Sequence, residues 1–431
     1  MTPRRHHISD DTLAALAAGH GGADAVRQLV AIQYSRQVLL VYGVADTAAR
    51  TRHPHADRVQ AAFDLLADVQ ADAPEAVDEV LRHPSVGAWA LAYLTGDADP
   101  RRLASVAAAA AVRGGHRCAI DVPVDRGRVT LPSLGQAIVP GGVGAVNVQV
   151  SGHGAALTAD GGVRIELPTD PRQDAPGWMG LRRLTAEANS YGLLVDDLDP
   201  YRLPGASLRG RLSEEEVWSW ERALRDAWRL LRRHHATTAA EIRTAIRVLT
   251  PLRPPARNHV SATSPHAFGT TALSAPGDGL TLAGTLAHEV QHAKLSALQS
   301  AVPLIRPGDT RLFYAPWRDD PRPLDGLLQG AYAYLGVTGF WRRQRHVETG
   351  ETAILAHAEF ARWREAAFDV TRIIRDSGSL TPAGERFVAG MYRTLQGWRD
   401  EAVPATAAGL ARHSAERHRT RWHRRNAGQH T

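Results

Sequence analysis

A chain of 431 residues, 44% of them hydrophobic, carries enough apolar material for one large core or two to three smaller ones, which excludes a disordered polymer. Its single cysteine, Cys118, excludes an intramolecular disulfide framework, a four-cysteine zinc module and an iron–sulfur cluster held by this chain alone. The formal charge of +6 is modest for the length, no basic segment followed by an apolar run opens the chain, and no apolar run approaches the roughly 20 residues of a bilayer span; the expectation is a cytoplasmic protein that binds neither nucleic acid nor membrane.

Residues 1–120 read as a helical region, with Ala- and Leu-rich stretches such as AVRQLVAIQYSRQVLLVYGVAD and RVQAAFDLLADVQ broken by Gly and Pro clusters. Residues 121–210 form a β-rich insert and connection, because short alternating segments such as AVNVQVSG and GGVRIELP follow one another through Gly-rich turns. Within it GLLVDDLDPYR, Gly192 to Arg202, crowds three aspartates near a tyrosine and an arginine. That segment reads first as a turn with an Asp–Arg pair, and alternatively as oxygen ligands for a hard cation.

Residues 211–411 carry the chemistry. Helices are expected over about 213–249, where Ser213 and Glu216 have the spacing of a capping box and His234 and His235 lie beside arginines as surface residues. An extended stretch, His259 to Ser274, leads through APGDG into a helix over about 281–300, and further helices follow over about 323–345, 350–376 and from 381. Residues 412–431 form a basic tail; Arg412 to Arg425 has no aromatic platform and reads as a solvated end. The fold class expected is α+β, predominantly helical, with a small β-rich insert and a C-terminal helical catalytic region.

The helix at 281–300 contains His288, Glu289 and His292 in the pattern HExxH. Residues four apart on an α-helix share a face, so both imidazoles reach one metal ion. Thr281, Gly284 and Thr285 leave space on that face, whereas Leu282, Leu286, Val290 and Ala293 occupy the opposite one. Glu289 is turned by about 100° and serves either as the general base of a zinc peptidase or as an acceptor that orients a neighbour. Lys294, the only lysine, points away from the metal.

Two histidines need a third ligand. Glu359 is the candidate, because it lies on a stripe with Leu355, Trp363, Ala366, Val370 and Ile373, and a buried carboxylate requires a cation; a salt bridge to Arg362 is the competing explanation. Asp325 is the runner-up, although its place in the first turn of a helix also suits the helix dipole. Two histidines with one carboxylate fit zinc and non-heme iron alike.

The strings SATSPHAFGTTALS, LAGTLAHEVQHAKLSAL, FYAPWRDDPRPLDGLLQGAYAYLGVTGFW and AEFARWREA, spanning about Val260 to Gly390, resemble the HExxH-motif peptide-modification family. The resemblance implies Fe(II) with α-ketoglutarate and O2, and β-hydroxylation of a residue in a ribosomally made precursor peptide, often beside a radical-SAM maturase. Carried onto this chain, it makes His288 and His292 metal ligands and Glu359 the inferred third. It also calls for a basic residue on the distal carboxylate of α-ketoglutarate, for which Arg318, Arg322 and Arg364 are candidates. The stretch around His266 could accept a peptide as an added strand, or be an ordinary sheet strand. A zinc metallopeptidase with Glu289 as base, and a non-catalytic peptide-binding protein with a structural metal, are the alternatives.

Overall fold

The computed structural model describes residues 6–159, 161–187, 191–253 and 260–427, so His259 lies outside the described residues. It is a mixed α+β structure, predominantly helical, with several small sheets. The chain divides into two units, one of Gln33–Arg222 with Ile246–Pro276, the other of His6–Ile32, Ala223–Ala245 and Gly277–Thr431. Two of the divisions fall inside long helices, Gly22–Arg50 and Glu214–His234. No described helix is long and apolar enough to cross a membrane.

In the first unit, helix Leu103–Gly114 is buried without interruption from Leu103 to Ala111. Its alanines offer little area each, but they let neighbouring helices approach closely, and Gly115 ends it in the left-handed conformation at φ 64°. Helices Ala56–Asp72 and Pro74–Leu81 pack on it. Strands Cys118–Pro123, Ala145–Ser151, Gly154–Ala159 and Arg164–Glu166 form an antiparallel sheet whose alternating valines Val146, Val148 and Val150 enter the same core.

A second sheet of this unit has the strand order Ser261–Ala262, Thr270–Leu273, Val248–Pro251, Tyr191–Val195, Arg183–Glu187. Its three central strands are parallel, and the middle two are buried along their whole length, as strands covered on both faces must be. His266 stands in the exposed turn between the first two strands; the extended stretch around it is thus an ordinary edge pairing with a turn at its centre. The aspartates of GLLVDDLDPYR follow the carboxyl end of Tyr191–Val195, and all three are buried.

The second unit is helical. Helix Glu214–His234, whose start lies in the first unit, is capped there reciprocally by Ser213 and Glu216 at 2.7 and 3.2 Å. The motif helix, Gly279–Gln299, starts at Asp278, whose carboxylate accepts from the Thr281 amide at 2.8 Å. It packs on Ala236–Ala245 and Leu324–Gln344, which in turn packs on Gly350–Arg375. His235 is buried, contrary to its expected place on the surface: Phe340 stacks on its ring at 4.4 Å and Gln344 bonds Nε2 at 2.9 Å. The basic tail is not a solvated end either. Helix Ala405–Asn426 packs on Gly350–Arg375 and buries His418, Trp422 and Asn426.

Candidate metal centre

Leu282, Leu286, Val290 and Ala293 are buried, which fixes the rotation of the motif helix and leaves His288 and His292 together on its opposite, partly open side. Their Nε2 atoms stand 3.1 Å apart. Two nitrogens bound to one ion at about 2.0–2.1 Å and at right to tetrahedral angles lie roughly 2.8–3.4 Å apart, so the pair has the spacing of a chelate. Burial, with the nearby His292, pulls His288 down to about 4 against the opposing charge of Glu289, so His288 is neutral at pH 7 with a lone pair to give.

The tautomer of His292 follows from a chain of side chains. Asp325 can only accept, so Gln299 gives its Nε2 to Asp325 Oδ1 at 2.6 Å and is left with Oε1 to accept from Gln329 Nε2 at 2.6 Å. Gln329 then presents Oε1 to His292 Nδ1 at 3.1 Å. His292 must therefore carry its hydrogen on Nδ1, and Nε2 keeps its lone pair for an ion. Asp325 thus orients His292 from three side chains away; among the described residues, only a group in the first unit, His83, Asp196 and Asp199, brings three ligand atoms of His, Cys, Asp or Glu within 4.8 Å of one another.

Gln329→Leu should accordingly weaken metal binding by about 10- to 100-fold, the usual effect of losing a hydrogen bond to a ligand histidine. Titration calorimetry checks it, and ¹⁵N imidazole shifts of His292 should show mixed tautomers in the variant. Unchanged affinity and a single Nδ1–H tautomer would remove the relay from the account.

Around the pair stands a wall of rings. Tyr334 meets His288 edge-on at 5.1 Å and is stacked against Trp317 at 4.7 Å and tilted on Trp363 at 4.2 Å. Gly330 makes room for this: a Cβ there would lie 2.3 Å from Trp317 Nε1. Burial lifts the Tyr334 phenol to about 12; Arg362 and Arg318 pull it down while Glu359 and Glu289 push it up, so four charged groups act on one hydroxyl.

The other residues singled out in the sequence are placed as follows. Glu289 is buried, with Oε1 3.9 Å from His288 Nε2. Glu359 Oε2 accepts from Trp363 Nε1 at 2.6 Å, its Oε1 stands 3.9 Å from Arg362, and its side chain is 37% exposed. The stripe used to choose it is displaced: Leu355 and Ile373 are exposed, and the buried line runs through Ala356, Phe360, Trp363, Ala367 and Ile374. Arg318 and Arg322 both bond Asp320, at 2.9 and 3.2 Å. Arg364 donates to the carbonyls of Trp398 and Glu401 and is occupied in joining helices.

No known protein family matches the sequence, and no curated protein matches it. The residues that sequence reading passed over are Gln299, Gln329, Trp317 and Tyr334. Only Tyr334 carried a signal: it lies in the string GAYAYLG, whose spacing sets two tyrosines on different sides of one helix.

Proposed function

We propose that the chain is an Fe(II)- and α-ketoglutarate-dependent hydroxylase acting on the β-carbon of a residue in a ribosomally synthesised precursor peptide. The observation that carries the metal is the approach of two imidazole nitrogens, His288 Nε2 and His292 Nε2, to 3.1 Å on the open side of one helix. The resemblance of the strings around them supports iron, the co-substrate and a peptide, and with them a radical-SAM maturase as a partner.

Iron, when bound, supplies the redox and O2 chemistry that protein side chains lack. The chain's own residues do the rest. His288 and His292 hold the ion, and Gln329 keeps His292 in the competent tautomer. Glu359 is the third ligand in this reading, which requires it to leave Trp363. Of the three arginines chosen from sequence, Arg318 suits the distal carboxylate of α-ketoglutarate best, because its charge reaches Tyr334 beside His288. Trp317, Tyr334 and Trp363 keep water from that side and offer the peptide an apolar surface.

A second reading, a zinc peptidase, is favoured by one feature: the buried Glu289 carboxylate 3.9 Å from His288 Nε2, where it could take a proton from a water. Mass spectrometry of the cognate peptide with iron or zinc, each with and without α-ketoglutarate, separates the two. The expected result is succinate release with a gain of about 16 Da, one oxygen atom, that needs iron and α-ketoglutarate together. Cleavage by the zinc form alone would make Glu289 the general base, and a peptide bound but unchanged under every condition would leave a binding protein.

A further inference from the structure

The first unit contains a second constellation of metal-ligand type, formed by His83, Asp196 and Asp199, whose ligand atoms all lie within 4.8 Å of one another. Its hydrogen bonds settle which atoms are taken. Ser85 has a single hydroxyl hydrogen and gives it to Asp199 Oδ2 at 2.7 Å. The contact of Ser85 Oγ with His83 Nδ1 at 2.8 Å must then be donated by the imidazole. His83 therefore carries its hydrogen on Nδ1, and Nε2 has a bare lone pair. Asp196 Oδ1 accepts from the amides of Leu198 and Asp199 at 3.2 and 2.9 Å, which leaves Oδ2.

His83 Nε2 and Asp196 Oδ2 face each other at 3.8 Å, on side chains only 1% exposed, and neither has a hydrogen-bond partner. Two acceptors opposed in a dry interior are costly, and 3.8 Å is too long for a direct N–H···O bond. Two ligand atoms about 2.0–2.2 Å from one zinc ion at the tetrahedral angle stand about 3.4 Å apart, so the two acceptors reach a common ion on closing by about 0.4 Å. We propose that His83, Asp196 and Asp199 form a buried zinc site.

The neighbours decide which cation suits it. Arg102 bonds Asp199 Oδ2 at 2.6 Å, and Arg202 donates to the Asp199 carbonyl at 2.5 Å and to that of Arg209 at 2.9 Å. These guanidinium charges already offset the two carboxylates, so a hard cation held by charge alone, such as Mg²⁺ or Ca²⁺, gains little. Such cations also want about six or more oxygens. Zinc bonds strongly to imidazole, accepts few ligands, and is the ion left by this donor set. Ser85 behind His83 is the orienting partner that ligand histidines have.

The test uses the full-length chain carrying His288→Ala and His292→Ala, so that the motif helix contributes no ion, produced with added zinc and freed of loose metal by gel filtration. Elemental analysis should find one zinc per chain, and Asp196→Asn should lower that at least about tenfold. The asparagine keeps Oδ1 for the two amides and turns Nδ2, an uncharged donor, toward His83 Nε2, so no carboxylate charge is left there without an ion; circular dichroism verifies that the variant folds. An anomalous difference peak at the zinc edge between His83 and Asp196 in crystals of the parent protein gives the same answer without any change at the site. Absence of zinc from the parent, with a water or a shared proton filling the gap, overturns the proposal, as does zinc that survives Asp196→Asn. Neither outcome bears on the His288 and His292 pair.

Discussion

His288→Ala or His292→Ala is expected to abolish metal-dependent activity and to lower metal affinity by orders of magnitude while leaving the fold intact. Each change removes one of the two nitrogens that meet at 3.1 Å, and the remaining imidazole cannot chelate. The structural cost is small because neither side chain belongs to the apolar core: His288 is 21% exposed, and the loss of His292 leaves only the half-buried Gln329 Oε1 without its donor. An unpaired acceptor of that kind costs about 1–3 kcal/mol. Metal content, turnover and a thermal melt check the three parts separately. A variant that binds iron and turns over like the parent would show that the ion sits elsewhere.

The largest effect on stability belongs to the same helix but to its other side. Lys294, which the helical period directs away from the metal, is fully buried and bonds Glu241 Oε2 at 2.8 Å, while Glu241 Oε1 accepts from the Gly22 amide at 3.0 Å. Lys294→Ala strands a buried carboxylate and should destabilise by about 3–5 kcal/mol. Against the roughly 5–15 kcal/mol that holds a typical domain together, that is about a fifth of the total or more. Replacing both partners, Lys294→Met with Glu241→Leu, should recover most of the loss, because apolar side chains of similar volume need no counter-ion. Urea denaturation measures both. If the single change costs under about 1 kcal/mol, the ammonium and carboxylate are not buried as a pair.

The paired His288 and His292 and the amphipathic helix beneath them were legible in the sequence because every interaction that defines them is local: a period of 3.6 residues, a capping aspartate, four apolar positions on one side. Gln329 was not, since it meets His292 from 37 residues away and nothing in its neighbours marks it. The placement of Glu359 failed to follow from pattern for a related reason. An apolar stripe drawn through Leu355 and Ile373 differs by one residue from the line that packs, through Ala356 and Ile374, and only the packing helices determine which one is covered. Two of the divisions between units were equally hidden, because they fall within the helices Gly22–Arg50 and Glu214–His234. The aspartates of GLLVDDLDPYR gave a partial signal. The turn is present, with Arg202 donating to the Asp199 carbonyl, but the carboxylates of Asp197 and Asp199 pair with Arg182, Arg211 and Arg102 from outside the segment, and His83 and Ser85 approach Asp196 and Asp199 from more than a hundred positions earlier in the chain.

The final helix is tied to one small loop. Arg421 and Arg425 bond the Asp319 carboxylate, Asn426 donates to its carbonyl at 2.9 Å, and His418 bonds the Tyr314 hydroxyl at 2.9 Å. Asp319 is two residues beyond Trp317, the outer ring of the wall beside His288. Helix Ala405–Asn426 is thus mechanically coupled to the lining of the candidate metal centre. A fluorophore, affinity tag or surface tether for this protein belongs away from that helix.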